Sequence, residues 1–135
     1  MLLEAMIGIL IFSLGVLALV AMQAVSTSNV SNARYRSEAA FLANEIAAAA
    51  WIGRGANGAN ISTFKWPGGN STVDLWQQKV KALLPQAAAY PPTITQTAIP
   101  GIVNGWQLTI TVQWKAPDAL TPSNHVTVAY VTQAE

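Results

Sequence analysis

The chain has 135 residues, a formal net charge of +1 and no cysteine. This length allows one domain and an anchor. Its seven lysine and arginine residues are scattered, whereas a nucleic-acid-binding protein normally carries a basic stripe, so nucleic acid is not predicted as a partner. The lack of cysteine excludes a disulfide framework and thiolate chemistry.

The most informative stretch is an apolar run near the N-terminus. From Ala5 to Met22 all eighteen residues are apolar or small, apart from the hydroxyl of Ser13. This meets the length of a membrane-spanning helix. A helix that is apolar all round must lie in lipid or in a bundle of similar helices, because one face would otherwise meet water. A cleaved signal peptide is disfavoured, since no basic region precedes the run and polar sequence of helical character follows it.

One long helix is predicted to carry this run. No proline occurs before Pro67, so the helix is expected from about residue 1 to Trp51. Gly8 and Gly15 are seven residues apart and share a face, which favours close helix packing over a point of local unwinding. We therefore predict that residues 1–24 form the hydrophobic half of the helix, which lies in a membrane or at the core of a bundle of like helices.

The second half of the helix is predicted to dock on a globular domain that comprises residues 25–135. An apolar stripe of helical spacing begins there and indicates one buried face. Its members are Tyr35, Ala39, Leu42, Ile46 and Ala49. Of these, Tyr35, Leu42 and Ile46 are predicted to pack directly on a sheet.

The stretch from Gly53 to Thr72 is predicted to be a loop because its glycines and asparagines break both periodicities. The aromatic side chains expected to hold this loop against the domain are Trp51, Phe64 and Trp66. A short helix is predicted at Asp74–Leu84, with Ser71 and Asp74 as its start signal and Pro85 as its stop. Its buried face is predicted to comprise Trp76, Val80 and Leu83.

The remaining sequence predicts three or four antiparallel strands. An edge strand is expected at 91–98, and Asn104-Gly105 is a hairpin signal. The clearest strand runs from Trp106 to Lys115, where apolar and polar residues alternate strictly. A last strand is predicted at His125–Thr132, with Val126, Val128 and Tyr130 together on one side. The fold class is therefore α+β, with a long N-terminal helix packed on a small antiparallel sheet and a second short helix.

Three segments of the sequence together resemble the type IV pilin superfamily, and within it the minor pilins of the PilV kind. The specific match is the N-terminal LLEAMIGILIFSLGVLALVAMQ, with Glu4 as the early glutamate of that family. The later matches, DLWQQKVKALLP and LTITVQW, agree in pattern. The resemblance implies a ladle-shaped subunit, a short basic leader ending in glycine, and a prepilin peptidase that removes that leader.

The resemblance also implies how such a subunit assembles. Glu4 would pair with the N-terminal amine of a neighbouring pilin, and the other major and minor pilins would be partners through the N-terminal helix. Before assembly the chain would be anchored in the inner membrane, with its domain in the periplasm. The family's glutamate is the fifth mature residue and here it is the fourth, so either the first mature residue is absent from the sequence or the register differs.

Two other observations limit these expectations. Arg34 and Arg36 follow the apolar run, and taken alone they favour a cytoplasmic C-terminal domain; a removed basic leader would reverse that orientation. Glu4 also has a simpler interpretation, in which it sits at the lipid headgroups and helps to start the helix. His125, the only histidine, is predicted to be an ordinary strand residue.

No enzyme, cofactor or metal site is predicted, because no second histidine and no cysteine accompanies His125. The sequence predicts a structural minor pilin that joins the filament in a tip or priming complex. The alternatives are a minor pseudopilin of a type II secretion system, a major pilin, and an anchored periplasmic binding domain that never polymerises.

Overall fold

The computed structural model describes residues 1–55 and 57–133. It confirms the α+β class, with a long N-terminal helix, a short second helix and a three-stranded antiparallel sheet. The elements in chain order are α1 (Leu2–Gly53), a 3₁₀ turn (Ile61–Thr63), α2 (Ser71–Leu83), β1 (Thr93–Ala98), β2 (Trp106–Trp114) and β3 (Ser123–Val131).

The chain divides into two compact units, Met1–Arg34 and Tyr35–Glu135. The sequence predicts a boundary after residue 24, two residues beyond the apolar run. The second compact unit begins at Tyr35, the first member of the apolar stripe on α1. Helix α1 therefore contributes residues to both units, and only its second part belongs to a hydrophobic core.

The sheet has the order β1-β2-β3, and both pairs of strands are antiparallel. The central strand β2 buries every second side chain, as its strict alternation predicts; these are Leu108, Ile110, Val112 and Trp114. The same core includes residues of the α1 stripe and of α2, namely Ala39, Leu42, Ala43, Ile46, Ala50, Val73, Trp76 and Val80. One apolar face of the sheet thus shares its core with both helices.

Helix α2 begins earlier than its sequence signal suggests. Its N-cap is Asn70, whose side-chain oxygen accepts a hydrogen bond from the backbone N–H of Val73 at 3.0 Å. Ser71 is therefore the first helical residue and not the cap. Asparagine accepts such a bond as well as serine does, and Gly69 before it leaves room for the tight turn, since an added Cβ would lie 2.1 Å from the Lys65 carbonyl oxygen.

The prediction that Leu83 belongs to the buried face of α2 is wrong by one residue. Trp76 and Val80 are buried as expected, but Leu83 is 44% exposed and Leu84 is buried in its place. Leu84 follows the last helical residue and has an extended backbone, so its side chain no longer follows the helical spacing. The indole N–H of Trp76 donates to the backbone oxygen of Leu42 at 2.8 Å and so joins α2 to α1.

The connection between the helices is held by two of the three predicted aromatic residues. Phe64 is buried, and Trp66 pairs with Ile94 through two backbone hydrogen bonds. Trp51 is not buried in the domain: it is 42% exposed, and the centre of its ring lies 4.8 Å from the guanidinium of Arg54 at the start of the connection. The amide of Gln96 on β1 donates to two carbonyl oxygens of the connection, those of Ile61 and Phe64.

The turn between β1 and β2 is wider than a two-residue hairpin. It spans residues 99–105, and Ile99 donates to the Gly105 oxygen at 2.9 Å. Asn104 has a positive φ of 53°, which asparagine tolerates better than most residues. Its side chain also donates to the Asn57 oxygen at 2.7 Å, so the Asn-Gly signal marks the turn but not its length.

The alternating apolar residues of strand β3 lie on the face of the sheet that points away from the core. Val126, Val128 and Tyr130 do share a side, but all three are exposed, whereas Val131 is buried. The register explains this, since Thr127 and Ala129 lie opposite the buried residues Ile110 and Leu108 of β2. The apolar stripe of β3 therefore lies on the outer face of the sheet.

Candidate functional site on the N-terminal helix

The first part of α1 is a continuous exposed apolar surface. Every residue from Met1 to Thr27 is exposed, although most of them are large and apolar. Helix α1 is long and apolar enough to cross a membrane, and its most apolar stretch of 18 residues is not buried by any other part of the described chain. It is therefore a candidate membrane span.

Two hydroxyl groups of this segment are bonded within the helix itself. The Ser13 hydroxyl donates to the Leu10 carbonyl at 2.8 Å, and the Thr27 hydroxyl donates to the Gln23 carbonyl at 3.0 Å. Such bonds within the helix satisfy hydroxyl groups in lipid, where no water replaces them. The surface offered to lipid or to another helix is thus apolar from Ala5 to Met22.

Glu4 is the exception. It lies in the first turn of α1 and is exposed. In the part of the chain that the structure describes, its carboxylate has no hydrogen-bond or ion-pair partner. The first turn of a helix favours a negative charge, because its backbone N–H groups are free and point toward the N-terminus. A carboxylate in this position is available to a positively charged group on another molecule.

The two predicted packing glycines lie on the same side of the helix as Glu4. At 100° per residue, Gly8 and Gly15 fall within about 40° of Glu4 around the helix, at about 6 and 16 Å along its axis. A Cβ added at either glycine would meet nothing within 4 Å in this chain. Both glycines therefore face open space, and any close packing they allow is with a second molecule.

The predicted helix-on-sheet residues lie in the second unit. Leu42 and Ile46 are buried in the core, and Tyr35 is half-buried against it. Their role is structural, since they share this core with Leu108 and Ile110 of the sheet.

A polar cluster between α1 and α2 has no obvious sequence signal. The Lys79 ammonium lies 2.7 Å from a carboxylate oxygen of Glu45 and 5.5 Å from the centre of the exposed Phe41 ring. The pair borders a shallow cleft of about 220 Å³ that Leu75 and Trp76 also line. Glu45 and Lys79 are 34 residues apart, so only the tertiary fold brings them together. Both side chains are about two-fifths exposed, and an ion pair of this kind adds little to stability.

His125 lies on β3, where its Nε2 is 3.1 Å from the Thr127 hydroxyl. This places the histidine in an ordinary strand contact. Within residues 1–55 and 57–133, no group of three or more histidine, cysteine or acidic side chains is placed to hold a metal ion.

Comparisons of the chain with models of protein families, with curated proteins and with solved structures find no match. The assignment of a function therefore depends on the arrangement of α1 and the core.

Proposed function

We propose that this chain is a structural minor pilin of a type IV pilus. In this proposal α1 anchors the subunit in the inner membrane and then moves into a bundle of similar helices as the filament grows. The move costs little, because an apolar helix meets equally apolar surroundings in lipid and in the bundle. The unit that begins at Tyr35 stays outside the membrane and provides the contacts that select neighbouring subunits.

The observation that carries the proposal is Glu4, an unpartnered carboxylate at the head of an exposed apolar helix. A single-pass anchor has no use for an acid there, since a charge becomes costly as it moves deeper into lipid. A filament subunit does have a use for it, because the N-terminal amine of a neighbouring subunit is a complementary charge. Gly8 and Gly15 on the same side would let that neighbour approach closely.

The test is to replace Glu4 with alanine and measure membrane and filament fractions separately. E4A leaves the span apolar, so we expect normal levels in the membrane. Removing one partner of a buried ion pair costs about 3–5 kcal/mol, so we expect almost none of the variant in sheared filaments. E4Q should fail equally, because glutamine keeps the shape but not the charge.

The matched control is E38A, which removes a carboxylate from the same helix outside the apolar segment and should enter filaments normally. Equal recovery of E4A and wild type in purified filaments would refute the pairing role. Wild-type protein that never leaves the membrane fraction would favour the anchored binding domain. The genes next to this one, for a pilus or for a type II secretion system, would separate the pilin from the pseudopilin.

A further inference from the structure

Two Asn-Gly sequences of this chain lie in contact. Asn57-Gly58 belongs to the connection between the helices, and Asn104-Gly105 belongs to the turn between β1 and β2. The side-chain nitrogen of Asn104 donates to the backbone oxygen of Asn57 at 2.7 Å, across 47 residues of sequence. Asparagine is chemically labile, and it loses its amide most readily before glycine, which has no Cβ to shield its backbone nitrogen. The fold thus brings two labile sequences together.

The reaction at such a sequence is deamidation, and its only co-reactant is water. The backbone nitrogen of the glycine attacks Cγ of the asparagine, so an N–Cγ bond forms and the Cγ–Nδ2 bond breaks. The amide leaves as ammonia with the proton of that backbone nitrogen, and a cyclic imide remains. Water then opens the imide at either of its carbonyls and gives aspartate or isoaspartate. Each event adds a negative charge, because the new carboxyl group is ionised at neutral pH.

The two sequences share the features that set the reactivity of the glycine nitrogen. Asn57 and Asn104 are both exposed, whereas Gly58 and Gly105 are both buried. The N–H of each glycine donates to the carbonyl oxygen of the residue three positions earlier, at 3.2 Å in both cases. The attacking nitrogen is therefore held to the same degree at the two sites, and a difference in rate has to come from the asparagine.

The two asparagines differ in both side chain and backbone. The side-chain nitrogen of Asn104, which would leave as ammonia, is fixed by its bond to the Asn57 oxygen. The φ of Asn104 is 53°, in the left-handed region, where the following nitrogen lies anti to Cβ about the Cα–C bond. Attack at Asn104 therefore requires this residue to leave its conformation. Asn57 has neither restraint, since its φ is not positive and, within residues 1–55 and 57–133, its carboxamide makes no hydrogen bond.

We propose that Asn57 is a site of spontaneous deamidation in the folded chain, and that the contact between the two sequences protects Asn104 from the same reaction. The exposed connection acquires a negative charge in place of a neutral amide as the folded protein ages. The turn between β1 and β2 keeps its asparagine for as long as the connection stays docked on it. The fold, and not the local sequence, decides which of the two residues reacts.

The test follows both residues in the same sample. The full chain is incubated in non-ionic detergent at mildly alkaline pH, and aliquots are digested with trypsin and analysed by mass spectrometry. Trypsin separates the two sites, because it releases residues 55–65 and residues 82–115 as different peptides. The reference is the same chain in guanidinium chloride, where no fold protects either residue. N57Q is the control for assignment, since it removes the labile sequence and leaves Asn60 in the same peptide.

In the folded chain we expect Asn57 to deamidate at least tenfold faster than Asn104. In guanidinium chloride the two rates should agree within threefold, because both asparagines precede glycine. G58A should reverse the order in the folded chain. Its Cβ shields the attacking nitrogen, so the reaction at Asn57 should slow at least tenfold. The same Cβ would lie 3.1 Å from both Cβ and the backbone oxygen of Asn104, which displaces the connection from the turn and should speed the reaction at Asn104 at least fivefold.

G68A is the matched control, because Gly68 lies in the same connection and has a φ of 84° against 69° for Gly58, but a Cβ added there meets nothing within 4 Å. It should change neither rate by more than twofold. Equal rates for Asn57 and Asn104 in the folded wild-type chain would overturn the proposal. So would an Asn57 that reacts in guanidinium chloride but not in the folded chain, and neither result needs a variant to interpret. An unchanged rate at Asn104 in G58A would contradict the protective contact. None of these results depends on whether E4A enters filaments.

Discussion

Replacing Ile46 or Ile52 with alanine makes the same chemical change at a buried and at an exposed position of one helix. Ile46 is 2% exposed and Ile52 is 86% exposed. Replacing isoleucine with alanine removes three carbons, which at ~0.8 kcal/mol for each buried carbon gives about 2.4 kcal/mol for I46A. The cavity left in the core raises the expected loss toward the upper part of the range of ~2–5 kcal/mol. I52A should change the free energy of unfolding by less than about 0.5 kcal/mol.

The assay is urea unfolding of the full chain in detergent, followed by tryptophan fluorescence. All five tryptophans lie after Tyr35, so the signal reports on the second unit alone. With a urea dependence of ~2 kcal/mol per molar, the middle of the usual range, the midpoint of I46A should fall by about 1–2.5 M, and that of I52A should remain near wild type. Equal midpoints for the two variants would refute the burial of this face of α1 in the core.

Three further outcomes follow from local features. N70A should destabilise the second unit by about 1 kcal/mol through loss of the α2 cap, while N70D should retain most of the stability; equal loss in both would contradict the capping role. G69A should lower the thermal midpoint more than A48G, because its Cβ would collide with the backbone of Lys65, and a neutral G69A would show that this turn is looser than described. A chain lacking residues 1–24 should be soluble and should keep the wild-type urea midpoint, since no residue before Ser28 is buried or half-buried; aggregation of this fragment, with the intact chain remaining soluble without detergent, would contradict the separation of the two units.

The parts of the fold that the sequence predicts best are those with one dominant signal. Strand β2 alternates so strictly that its buried face is clear, and α1 lacks any residue that would end it before Gly53. In β3, by contrast, the residues on each of the two sides of the strand include small or apolar ones. Period two shows that Val126 and Val128 share a side, but the side that faces the core depends on pairing with β2. The sequence therefore predicts which residues share a side, but not which side faces the core.

The sequence predicts Glu4 as the candidate site, but it does not predict the polar cluster between α1 and α2. Glu4 stands out because it is the one charge beside a long apolar run. The cluster of Glu45, Lys79 and Phe41 has no such signal, since its members come from two helices that only the core brings together. The N-cap was also ambiguous, because Asn70 and Ser71 are adjacent and both residue types cap helices well.

The two parts of α1 are under different physical constraints within one uninterrupted helix. Before Ser28 no side chain is buried or half-buried. Substitutions there are therefore limited by the lipid or the helices around α1 and not by the folding of this chain. After Tyr35 the tolerated residues are set by the volume beneath the sheet. A library that varies α1 at every position, sorted once for folded protein and once for assembled protein, should therefore give two substitution profiles that meet near Arg34.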